Sequence, residues 1–111
     1  MYVSGHRKND VYSLRLHLAI ASKLRADPDA VLRTAMRNLT GLRNRPNESY
    51  YVREWERLLR GPLDELLSMM VQDSEYATAL RQATPFTGIL KPQETWEIQR
   101  AVAEEWRHAA R

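Results

Sequence analysis

Three histidines, fourteen carboxylates and no cysteine are the side chains with which this chain could do chemistry. Nucleophilic catalysis needs a serine or threonine held beside a histidine and a carboxylate. His6, His17 and His108 instead fall in an N-terminal arm, on a helix face and in a C-terminal tail, so no such constellation is expected. The same scatter argues against metal, because no histidine or carboxylate pair stands at ligand spacing with a third ligand close by. Asp64-Glu65 and Glu104-Glu105 are sequence neighbours, and adjacent helical residues point in different directions. They read as solvated charge rather than as an acid–base pair. Four glycines spread along the chain cannot build a phosphate-cradling loop. The expectation is a protein that is not an enzyme and takes no cofactor. Without cysteine there is no disulfide framework and no thiol nucleophile, which fits a reducing cytoplasm.

Binding is the remaining chemistry, and the basic residues carry it. Fourteen of the seventeen are arginine, whose planar fork makes two-point contacts with carboxylates or phosphates. Residues 1–45 hold nine basic side chains against three acids, and residues 46–111 hold eight against eleven. That split predicts a positive surface on the first third, facing either phosphates or an acidic protein. Arg33 and Arg37 lie one helical turn apart and lead into Arg43 and Arg45, the most concentrated positive patch, with Arg7 and Lys8 in the arm. The competing reading is that these arginines merely solvate two surface helices.

Aromatic residues give a second candidate surface. Tyr50-Tyr51 and Trp55 stand beside Arg53 and Arg57 after a polar connector, and aromatic residues together with arginine are the composition of interface anchors. Trp55 and Trp96 are expected in the core, and Tyr50, Tyr51 and Trp106 partly exposed. A helix-turn-helix over Leu63 to Leu80 would bring Glu75, Thr78, Ala79 and Arg81 to DNA. Asp73 and Glu75 would oppose phosphate there, so ordinary helix packing is the preferred reading. Arg81 can instead bond free carbonyls or a carboxylate while Phe86 plugs the core.

The elements that must position these residues are helical. Val11, Leu14, Leu18, Ala21 and Leu24 recur at three and four, predicting a helix over about residues 10–26 after an arm at 1–9. Pro28 stops it, and Asp27 caps a second helix that ends near Gly41. RNRPNE at 43–48 is a connector, and Ser49 is placed to cap a third helix. Gly61-Pro62 closes that helix and puts Pro62 at the first position of a fourth, running to Asp73 or Ser74. Asp73 is expected to cap a short fifth helix that ends at Thr84-Pro85. Pro92 opens a sixth, carrying Trp96, Ile98, Val102 and Trp106. The prediction is an all-α bundle of about six helices, one domain over 10–111. No apolar run reaches the roughly eighteen residues of a membrane span, and no secretory signal follows the charged N-terminus.

Some of these residues also form a recognisable pattern. Ala19-Ile20-Ala21-x-Lys23-Leu24-x-x-Asp27-Pro28, Glu54-Trp55-x-x-Leu58-Leu59-x-Gly61-Pro62-Leu63, Leu80-Arg81-Gln82-x-x-Pro85-Phe86-x-Gly88 and Pro92-x-Glu94-x-Trp96 resemble a family of small helical bacterial proteins. The resemblance covers about residues 13–102 and departs from the pattern at Thr95, where an arginine is expected. Such proteins resemble the antitoxins of toxin–antitoxin pairs. The resemblance implies a cognate protein toxin as partner, a nucleotidyltransferase or a nuclease, and the charge and aromatic patterns make Arg7, Lys8, Arg33, Arg37, Arg43, Arg45, Tyr50 and Tyr51 its expected contacts. The alternative expectation is a DNA-binding regulator, which can autoregulate its operon, with Arg33, Arg37, Arg43 and Arg45 on phosphates.

Overall fold

Asp27 separates the first two helices by a single residue. Pro28 denies helical geometry to the residue before it, so α1 (Arg7–Ala26) stops there. Asp27, at φ −147°, then accepts the Ala30 N–H on Oδ1 at 3.3 Å, and Pro28 opens α2 (Pro28–Leu42). The structure, a computed structural model, describes residues 7–43 and 49–109. Four further helices follow: α3 (Ser49–Arg60), α4 (Leu63–Val71), α5 (Glu75–Gln82) and α6 (Pro92–Ala109). All regular structure among the described residues is helical, as the periodicity predicts.

α1 is the central element, packing against α2, α4, α5 and α6, while α3 joins α2 to α4. Its buried line is His17, Ile20, Ala21 and Leu24. Leu18, expected inward, is 46% exposed. The reason is angular: it lies about 100° around the helix from His17, on the flank of the stripe rather than at its centre. α2 contributes Val31, Ala35 and Leu39, α3 contributes Val52, Trp55, Leu58 and Leu59, and α4 contributes Leu66 and Met70. Trp55 is fully buried as expected. Its indole N–H donates to the Leu80 carbonyl at 2.8 Å and its ring meets Phe86 edge-on at 5.4 Å.

Several expected boundaries shift. α1 begins at Arg7, so residues 7–9 belong to the helix rather than to an arm, and the rest of that arm lies outside the described residues. α2 runs to Leu42, one residue past Gly41. Ser49 is the first residue of α3 rather than its cap. Pro62 is extended, at ψ 140°, and precedes α4 instead of starting it. Ser74, not Asp73, caps α5: its backbone is extended, and its Oγ accepts the Ala77 N–H at 3.1 Å, the reach a cap requires.

The segment between α5 and α6 packs back on the core, as its large apolar residues predict. Phe86 is buried, and the Ile89 N–H reaches the Phe86 carbonyl at 3.3 Å to close a turn. Gly88 has φ +87°, which a side chain would strain and which that turn position demands. Asn38 of α2 clamps the turn by donating to the Pro85 and Thr87 carbonyls at 2.9 and 2.8 Å.

Trp96 corrects the sequence reading most sharply. It is 56% exposed rather than in the core. α6 turns Ile98 and Val102 towards α1, and Trp96 sits well over 100° away from that line. Its ring is covered instead by the Arg100 guanidinium, 5.5 Å from the centroid and one turn on.

Candidate functional site

α2 presents its polar face through Arg33 and Arg37, which the four-residue spacing places one above the other. Both side chains are exposed, and neither makes an ion pair among the described residues. This is where the sequence-predicted positive patch survives. Ion pairs within the chain take up three other basic residues of the first third. Arg15 forks onto Glu105 through two contacts at 3.1 and 2.7 Å, and Lys23 holds Glu94 at 2.8 Å. Both pairs tie α1 to α6. Arg43 binds Glu56 of α3 at 2.5 Å, and Arg60 reaches the same carboxylate at 3.3 Å. Arg43 is therefore turned towards α3 and does not continue the row of Arg33 and Arg37.

The pairing leaves a mark on the acids. Glu94 is held below the usual carboxylate range by Lys23 first and by the Lys91 backbone N–H second. Glu105 is lowered by its bonds to Arg15, and Glu54 by its bonds to Arg57. In return the Arg15 guanidinium is raised by Glu105, and that of Arg57 by Glu54 first and Glu65 second.

The remaining predicted residues do not converge. Lys8 is exposed at the start of α1 and lines a groove against α6 with Tyr12 and Val102. The Arg7 side chain and Arg45 lie outside the described residues. Tyr50 is 54% exposed and Tyr51 half-buried against the core, their rings edge-on at 5.1 Å. The Tyr50 hydroxyl lies 3.3 Å from that of Tyr76 on α5. Burial, that hydroxyl and the Glu54 charge together push the Tyr76 phenol up. The tyrosines thus form a separate α3–α5 cluster with Glu54, and Tyr76 is a member that sequence spacing had no means of assigning to it.

Arg81 takes the structural role open to it in the sequence. It is buried, and Nη1 donates to the Met70 and Gln72 carbonyls at 3.1 and 2.8 Å, closing the C-terminal end of α4. Thr78 is also buried, its hydroxyl donating to the Ser74 carbonyl at 2.7 Å. Two of the four residues a helix-turn-helix would bring to DNA therefore face inward. Thr78 and Arg81 thus help to pack the corner between α4 and α5.

His17 is the functional-type residue whose setting the sequence conceals. It is 2% exposed. Nδ1–H donates to the Ser13 carbonyl at 2.7 Å, which fixes the tautomer, so Nε2 accepts from the Thr84 hydroxyl at 2.9 Å. Thr84 Oγ1 in turn accepts the Phe86 N–H at 3.2 Å. Burial lowers the imidazole to about 4, with the nearby Arg81 charge adding to the effect against the Ser13 bond. Its spacing of four from Ala21 and seven from Leu24 is the one signal that could have placed it inward. No group of three histidine or acidic residues among the described residues is arranged to hold a metal ion. No described helix is long and apolar enough to cross a membrane.

No family model, no curated protein and no solved structure matches the chain.

Proposed function

We propose that this protein is a non-catalytic, antitoxin-like binding protein that engages an acidic surface of a cognate protein toxin through the α2 face of Arg33 and Arg37. The observation that carries the reading is selective pairing. Arg15, Lys23 and Arg43 are held by acids of the same chain, whereas Arg33 and Arg37 stand together, exposed and without an ion pair among the described residues. Two adjacent guanidiniums on a rigid helix offer forked contacts to carboxylates with little ordering cost. The motif resemblance supplies the kind of partner, a growth-arresting toxin of nucleotidyltransferase or nuclease chemistry.

The test is rescue. The protein encoded beside this chain is expressed in a bacterial host, alone and together with it. Relief of growth arrest is expected from the wild type and not from Arg33→Glu/Arg37→Glu, whose helical content and melting stay within a few degrees of wild type. Rescue by the double variant equal to that of the wild type overturns the assignment. DNA is the competing ligand for the same arginines. It would show as duplex binding whose log affinity falls steeply and linearly with log salt, beside an undiminished rescue.

A further inference from the structure

An open groove runs between the α1–α2 corner and the Phe86–Ile89 turn. Its floor and walls are Ala26, Ala30, Val31, Thr34, Gly88 and Ile89, and its volume is about 350 Å³, within the range of ligand clefts. Of the charged groups at its edge, Lys23 is paired with Glu94, while Asp27 caps α2 through one oxygen and keeps its negative charge. Apart from Thr34 and Asp27, what faces outward from the floor is apolar. Helical spacing sets Arg33 three residues after Ala30 and Arg37 three after Thr34, so the two unpaired guanidiniums stand along the α2 rim. The opposite rim is fixed by the two bonds from Asn38 and by the Gly88 turn, so the groove needs no reorganisation to accept a guest.

We infer that this groove seats one apolar side chain of an acidic protein segment, whose flanking carboxylates pair with Arg33 and Arg37. The inference rests on the reading of those arginines as the partner surface and adds the anchor. Charge complementarity selects an acidic occupant. The apolar floor selects a protein one, since a phosphodiester backbone satisfies the arginines but brings no aliphatic side chain to fill the cleft. Asp27 in the groove wall and Asp29, one turn before Arg33, make the start of α2 the acidic end of the rim. The carboxylates of the guest are therefore expected over the turn from Arg33 to Arg37.

The probe is a short synthetic peptide of glutamates with one central leucine, titrated into the isotope-labelled full chain and followed by amide chemical shifts. Saturable shifts are expected at Ala30, Thr34, Gly88 and Ile89 as well as at Arg33 and Arg37. Replacing the leucine by alanine should weaken binding about tenfold or more, the usual scale for losing a buried aliphatic group. A lysine version of the peptide should not bind, and Thr34→Trp, which fills the groove from its own wall, should abolish the Gly88 and Ile89 shifts. Shifts confined to Arg33 and Arg37 and equal for the leucine and alanine peptides overturn the groove and leave the arginine surface standing. No shift at either place overturns the acidic anchor altogether, and the rescue assay then judges the arginines on their own. Because the two peptides differ only in the guest, the comparison does not depend on the folding of any variant.

Discussion

His17 and Arg81 are polar residues in the interior, and each is held there by hydrogen bonds. His17 is neutral because both ring nitrogens are used and burial disfavours the imidazolium. The unfolded chain titrates near 6.5 and the folded one near 4, so between those values the unfolded state binds more protons and stability falls as pH falls. The contribution is complete above about pH 6.5 and lost by about pH 4, roughly 3 kcal/mol in all. Chemical denaturation across this window should show the decline, and His17→Gln should flatten most of it. An unchanged slope in the variant would mean that another group is responsible. Glu54, Glu94 and Glu105, all lowered, add their own losses only below the ordinary carboxylate range, which separates them from His17. Arg81 presents a different case, a buried guanidinium whose Nη1 donates to two backbone carbonyls. Arg81→Met preserves most of the volume but leaves the end of α4 without its donor, and should cost about 2 kcal/mol by urea denaturation. Equal stability would show that the carbonyls find other partners at no cost.

At the scale of elements, what was legible in the sequence is local chemistry, and what was not is geometry between distant segments. Pro28 after Asp27, Gly61 before Pro62, and Pro92 are signals that act on their own backbone, and all three fall at or beside helix boundaries. Ser74 displaced Asp73 as a cap because both are competent side chains one residue apart, and only the path of the chain chooses between them. Leu18 and Trp96 were misplaced for different reasons. Leu18 lies at the edge of the arc that α1 buries against several neighbours, whereas Trp96 lies far from the narrow line that α6 turns to α1. Asn38 had no sequence signal at all, because its partners are carbonyls 47 and 49 residues away. Its role can be isolated. Asn38→Ala leaves the Pro85 and Thr87 carbonyls without their donor and should destabilise the fold by about 1–3 kcal/mol. The Ile89 amide, which closes the turn those carbonyls flank, should exchange with solvent faster than in the wild type. If Ile89 exchange and stability are both unchanged, the clamp is not what holds the turn against α2, and the groove beside it loses its fixed rim.

For the whole molecule, the charge asymmetry of the sequence becomes an assembly device. Arg15 and Lys23, from the basic first third, meet Glu105 and Glu94, from the acidic remainder, across separations of 90 and 71 residues, and so tie the last helix to the first. The Arg15–Glu105 pair is solvent-exposed and the Lys23–Glu94 pair only part-buried, which makes them weak fasteners, and among the described residues α6 has no second helix on which to pack to a comparable extent. Val102 is its one buried residue among those described, while Trp96 and Trp106 remain partly in water. Sparse apolar burial against one neighbour is the condition for a unit that opens before the rest. Native-state hydrogen exchange should therefore show α6 amides exchanging through a partial opening of lower free energy than the amides around Ala21, Leu24, Trp55 and Leu58. Raising the salt concentration should widen that gap, because screening loosens the two ion pairs without touching the Trp55–Phe86 core. Trp96→Ala, which removes a largely exposed side chain stacked by Arg100, should leave global stability within about 0.5 kcal/mol of wild type. Val102→Ala should lower the α6 opening energy selectively. If instead α6 exchanged only with global unfolding, and salt acted equally on every helix, the six helices would be one cooperative unit and the ion pairs across α1 and α6 would be incidental to it.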